Sequence, residues 1–125
     1  MTTGSSGIMD KVKGGIISTV KGSGDVATTA MDTATKVTQA AIQDAVKIGG
    51  DLGHVATDAV TGAIHAAREL GVSAEEAAAA AAHGALMAAD KVGGAALVTV
   101  RNALTSTIDG VKVVLKEPFR NLGQK

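Results

Sequence analysis

The chain has no cysteine, tryptophan or tyrosine, and only one phenylalanine and one proline among 125 residues. Without cysteine there is no disulfide, no thiolate-held metal and no thiol nucleophile. With Phe119 as the lone ring, there is neither a platform for stacking nucleic-acid bases nor an aromatic anchor for a membrane interface. The one proline, Pro118, stands near the end, so nothing before it breaks a helix by sterics. A strong charge of one sign is also missing. Twelve basic side chains balance twelve acidic ones, and no basic face marks a nucleic-acid partner. Long apolar runs are absent too. The most apolar window, 77–98, is largely alanine and contains His83, Asp90 and Lys91, which excludes a confident transmembrane span. Met1–Gly7 lacks the charged and apolar regions of a secretory leader, so the expected location is cytoplasmic.

What the chain does have is small residues. Apolar side chains make up 46% of it and glycine occurs 16 times, but alanine buries little area per residue, and a monomer's core would be thin. Association with other subunits is the usual remedy, and a homo-oligomer is expected. The charges are unevenly spread. Residues 1–22 carry three lysines against Asp10, residues 111–125 carry four basic side chains against Glu117, and the middle is acidic. The basic ends read as solvated termini.

Glu69-Leu70-Gly71-Val72-Ser73-Ala74-Glu75-Glu76 organises the pattern. Gly71 fits the left-handed position after a helix, and Ser73 with Glu76 spells the capping box of the next one. The turn therefore predicts an antiparallel α-hairpin with arms over 25–70 and 74–117. Gly49-Gly50 and Gly93-Gly94 lie at mirror-image distances from this turn. They are expected to let the arms approach closely, with a break at either pair as the alternative. Ala80, Gly84 and Ala88 give the second arm a small-xxx-small seam suited to close packing. Each arm of about 45 residues would span about 65 Å at 1.5 Å per residue. Residues 1–7 read as a tail, 8–117 as one helical domain and 118–125 as a second tail. Ile8, Val12, Ile16 and Val20 share one stripe of a short N-terminal helix, although the β-branched run 16–20 also suits a strand. The fold class is all-α, packed as a bundle with other subunits.

From Val37 to Leu70 the apolar and small positions recur at about 3.67 residues per turn, the eleven-residue period. Val37, Ile48, Ala59 and Leu70 mark it, as do Ala41, Leu52 and Ala63. The Val, Thr, Lys, Gly and Ala run from Val20 to Leu70 resembles late-embryogenesis-abundant and synuclein-type helices. That resemblance implies a chain that becomes helical on lipid or on drying. The sharp turn at Gly71–Ser73 and the leucine stripe of the second arm depart from it and point to a defined fold. The resemblance transfers no functional residues.

No catalytic, cofactor or metal site is read from the residues. His54 and His65 lie about 16 Å apart along a helix, too far to share an ion. His54 with Asp58, and His65 with Glu69, are spaced as surface ion pairs. Glu75 and Glu76 fall in a first helical turn, where acids complement the helix dipole. The glycines precede no G-K-[ST], which excludes a phosphate loop. The expected function is that of a non-enzymatic structural protein, self-associating into a bundle, shell or filament. Gly49, Gly50, Gly93, Gly94, Gly84, Ala80 and Ala88 are its expected packing residues, and Gly71, Ser73 and Glu76 its turn. A coat on a lipid or granule surface is the alternative, and a small helical ligand carrier or enzyme the second.

Overall fold

A computed structural model describes residues 4–22, 24–105 and 107–115. Five helices follow in order: α1 (Gly4–Lys21), α2 (Val26–Lys47), α3 (Leu52–Leu70), α4 (Ala74–Val92) and α5 (Gly94–Leu104). A short hairpin of β1 (Thr107–Ile108) and β2 (Val111–Lys112) completes them. The all-α class expected from the sequence is present, and the five helices pack as a bundle within the single chain. The tail expected over 1–7 is already helical from Gly4, and the strand alternative for 8–20 is replaced by helix running through Gly14-Gly15.

Local chemistry explains where the helices start and stop. Asp25 accepts from Thr28 N at 3.1 Å, Asp51 from His54 N at 3.2 Å, and Ser73 from Glu76 N at 3.1 Å. Each satisfies an orphan donor of a first helical turn. Gly49 and Gly71 take the left-handed conformation (φ 71° and 78°) that closes a helix without a Cβ clash. Gly93 ends α4 at φ 150°, and α5 begins immediately after it.

These breaks correct the expectation of two long arms. The first arm is divided at Ile48–Asp51, where Gly50 N folds back onto Ala45 O at 2.8 Å. The second is divided at Gly93 and leaves the helix at Leu104, giving way to the hairpin rather than continuing toward 117. Asp109-Gly110 forms the hairpin turn with both residues at positive φ, as a tight turn between twisted strands requires. The second tail, 118–125, lies outside the described residues.

Translation rather than reflection relates the glycines. Gly49, Gly71 and Gly93 stand 22 residues apart, and the segments before them match: Ala40-Ala41-Ile42, Gly62-Ala63-Ile64 and Gly84-Ala85-Leu86. The burial pattern follows the same shift. Ala34, Thr38, Ile42 and Ala45 of α2 are buried, as are Ala56, Val60, Ile64 and Ala67 of α3 and Ala78, Ala82, Leu86 and Ala89 of α4. One helix, one glycine stop and one capped start form the repeating unit.

The units stack by a common rule. Short links make α1 and α2 antiparallel, and likewise α3 and α4. α1 also packs against α3 and α2 against α4. Met9 lies over Gly62 while Lys13 reaches Glu69 at 3.2 Å, so α1 and α3 run in the same direction. Ala27 and Thr28 of α2 share a cleft with Glu76 of α4, and Thr35 meets Ala80 and Gly84, so this pair is parallel as well. Glycine makes both approaches possible. A Cβ on Gly62 would stand 2.5 Å from Met9 O, and one on Gly84 would collide with Thr35 O. The parallel partner of each helix is therefore seated against backbone. α5 lies on α3 and α4, with Gly53 facing Ala103 and Thr99.

Candidate interaction groove

The same repeat defines a second face on each helix, displaced from the core stripe. On α3 it comprises Ala59, Gly62, Ala63 and Ala66, all buried, with α1 seated at Gly62. On α4 it comprises Ala81, Gly84, Ala85 and Ala88, all buried, with α2 seated at Gly84. The equivalent positions of α2 are Val37, Ala40, Ala41 and Asp44. Here Val37 and Ala41 are half-buried, and Ala40 and Asp44 are exposed. By the packing rule, this face belongs beneath a parallel helix preceding α1, and the described residues contain none.

A groove of about 580 Å³ occupies that position. α1 contributes Ile8, Lys11, Val12 and Gly15 to one wall, and α2 contributes the face from Lys36 to Ile48. Val12, Ala45 and Val55 are buried and form its floor. Gly15 packs against Val37 of α2, where an added Cβ would make ordinary contact at 3.4 Å. At one end Ile48 is 83% exposed, a large apolar side chain left in water just where α2 stops. Lys11, Lys36 and Asp44 are the groove's charged lining. Lys36 pairs with Asp32 at 3.2 Å along its own helix. Among the described residues, neither Lys11 nor Asp44 has an ion-pair partner.

The residues singled out in the sequence are placed as follows. A Cβ at Gly49, Gly93 or Gly94 would meet nothing within 4 Å, and one at Gly50 would meet only Ala45 of the preceding turn. None of the four brings helices of the chain together, because each stands at or beside a helix stop rather than between arms. Gly84 lies over Thr35 as above, Ala88 is buried and Ala80 half-buried. The Ala80 carbonyl accepts from Thr35 Oγ1 at 3.0 Å. Gly71, Ser73 and Glu76 form the α3–α4 turn. Ala40 and Lys11 were not singled out as site residues, and Ala41 was read only as part of the eleven-residue stripe and Asp44 only as part of an outer polar ridge. Their signal was the 22-residue shift, which places Asp44 where the neighbouring units have alanine.

His54 and His65 serve as structural contacts. His54 Nε2 lies 3.2 Å from Asp58 Oδ2. His65 pairs not with Glu69 but with Asp109 of the hairpin turn, at 3.0 Å. Arg68 adds bonds to the Asp109 carboxylate at 2.7 Å and to its carbonyl at 2.9 Å. This clasp ties the hairpin to α3. Among the described residues, no three His, Asp or Glu side chains gather to hold a metal, and no helix is long and apolar enough to cross a membrane.

Comparison of the chain with protein-family models, with curated proteins and with solved structures finds no match in any of the three.

Proposed function

We propose that this chain is a non-enzymatic structural protein that self-associates by seating a further helix in the α1–α2 groove. One observation carries the reading. The face buried on α3 and α4 is left open on α2, at Val37, Ala40, Ala41 and Asp44, although the same repeat builds all three helices. Exposed apolar surface of this kind, shaped to a helix and rimmed by charge, is the mark of an interaction site.

Sedimentation velocity of the purified chain tests this directly. A discrete species heavier than 12.3 kDa is expected, reverting to monomer in Ala40→Glu with helicity unchanged. A wild-type monomer at high protein concentration sinks the reading. Val98→Glu, at an exposed site on α5, serves as the control that leaves assembly intact.

The lipid-coat alternative rests on the same apolar exposure at Ile48. It requires more of the fold, because the eleven-residue stripe includes Ala45, Val55, Ala59, Ala63 and Ala66, all buried within the bundle. Lipid binding along that stripe therefore needs the bundle to open. Flotation with anionic vesicles, accompanied by loss of the native tertiary signal, is the result that supports it.

A further inference from the structure

We infer that Asp109-Gly110 is a latent site of backbone isomerisation to isoaspartate, and that Arg68 is the residue that holds it unreactive. The inference is independent of the self-association reading, since among the described residues none of the hairpin lines the α1–α2 groove.

The chemistry begins in the sequence. Aspartate followed by glycine is the step at which a peptide chain cyclises most readily, because no Cβ on the second residue shields its nitrogen. Asp109-Gly110 is the one such step in the chain, and no asparagine precedes a glycine. In the reaction the Gly110 nitrogen attacks Asp109 Cγ. A C–N bond forms, a Cγ–O bond breaks, and the oxygen departs as water with the amide hydrogen and the carboxyl proton. A second water then opens the succinimide. Attack at Cγ restores aspartate, whereas attack at the main-chain carbonyl carbon breaks its bond to nitrogen and sends the backbone through Cβ and Cγ. The product is an isomer of the same mass, so no oxidant, reductant or cofactor is consumed.

The fold sets the reacting atoms apart. Cyclisation needs the Gly110 nitrogen turned toward the Asp109 side chain, and two observations place the carbonyl oxygen there instead. Asp109 has φ 51°, and the left-handed conformation brings Cβ close to the carbonyl oxygen that follows it. Arg68 donates from Nη1 to Asp109 Oδ2 at 2.7 Å and from Nη2 to the Asp109 carbonyl oxygen at 2.9 Å. One planar guanidinium therefore grips carboxylate and carbonyl side by side. The oxygen and nitrogen of a peptide diverge from their shared carbon, so the nitrogen is directed away from Cγ. His65 Nε2, 3.0 Å from the same Oδ2, adds a second tether to α3.

Reaction thus requires the clasp to open, and its product keeps the clasp open. An added methylene in the two-residue turn breaks the Ile108–Val111 register. The new carboxylate, on Cα, no longer lies beside the carbonyl in the Arg68 fork. Ile108 and Val111, both buried, lose the turn that seats them. Isomerisation unfastens the hairpin end with age and leaves the groove end as it is.

Incubation of the full chain at neutral pH tests this, folded and in urea, followed by tryptic digestion. Asp109 is the only acid in the peptide Asn102–Lys112. Isoaspartate there is identified by its backbone fragments in mass spectrometry and by methylation with an isoaspartate carboxyl methyltransferase. The unfolded chain is expected to accumulate it, and the folded wild type to do so severalfold more slowly. Arg68→Ala and Arg68→Lys should each raise the folded-state rate severalfold with helicity unchanged, since lysine keeps the charge but offers no fork. Val98→Glu should react at the wild-type rate.

A folded wild type that isomerises as fast as the unfolded chain overturns the inference, as does an unfolded chain that forms no isoaspartate. Wild-type rates in both Arg68 variants remove Arg68 as the guard. Acceleration in Arg68→Ala without acceleration in Arg68→Lys assigns the protection to charge and overturns the role of the fork. Should Arg68→Ala lose helicity, the lysine variant decides alone.

Discussion

Among single residues, the sharpest contrast is between glycines that hold helices together and glycines that merely occur in them. Gly62 and Gly84 each lie against the backbone of a parallel neighbour, and a methyl group there forces the two helices apart. Gly62→Ala and Gly84→Ala are each expected to cost about 1–3 kcal/mol in urea unfolding, the usual range for overpacking. Gly14, with nothing within 4 Å of its missing Cβ, should behave oppositely, and Gly14→Ala should gain up to about 1 kcal/mol from helix propensity. Thr38 gives a second contrast. Its hydroxyl is buried without a hydrogen-bond partner, at the position that Val60 and Ala82 occupy in the other units. Thr38→Val keeps the shape and removes the unsatisfied group, so a gain of about 1 kcal/mol is expected from the same measurement. A loss in that variant would show that the hydroxyl is bonded in solution. Capping was readable at this scale, because Ser73 and Glu76 are three residues apart whatever the tertiary fold. The buried thread of Thr38 was not, since no local pattern distinguishes a threonine facing the core.

For the elements, the question is why the two long helices expected from the pattern are four short ones. The apolar stripe keeps its phase through Gly49-Gly50, and continuity was the natural conclusion. The repeating unit explains the misreading. Its 22 residues equal two eleven-residue periods, so the stripe resumes in phase after every stop, and phase alone cannot reveal a break. The mirror arrangement of the glycine pairs about residues 71 and 72 misled in the same way, since evenly spaced marks look alike under reflection and translation. What decided between them was backbone conformation: positive φ at Gly49 and Gly71, followed in each case by a capped start. Gly49→Ala should therefore destabilise by about 1–2 kcal/mol, the cost of a left-handed alanine, whereas a continuous helix would be stabilised by it. The hairpin carries a separate prediction. Arg68→Ala removes two bonds to Asp109, and faster amide exchange is expected at Thr107–Lys112 with α1–α4 unchanged. Equal acceleration throughout would mean that the clasp supports the whole bundle.

As a whole molecule, the chain is a stack with unlike ends. At one end α5 and the hairpin lie on α3 and α4, fastened by the Arg68–Asp109–His65 clasp. At the other, the α1–α2 groove exposes the face that α3 and α4 bury. The all-α class was legible in an alanine-rich chain, and the thin core such helices make without rings is what suggests the self-association proposed above. The location of the open face was not legible, because it is defined by comparison between helices rather than by any one of them. Only when Val37, Ala40, Ala41 and Asp44 are set beside Ala59, Gly62, Ala63 and Ala66 does the difference in burial appear.

The 22-residue translation also bears on how such a chain changes length. Each unit reverses the direction of travel, so one added unit turns the hairpin end over relative to the groove, and two added units restore it. A tandem duplication of residues 50–93 would insert one helix into each layer, keep every glycine stop in step, and leave both ends as they are. Growth of this architecture comes in pairs of units, and the two ends persist as independent features whatever the number of helices between them.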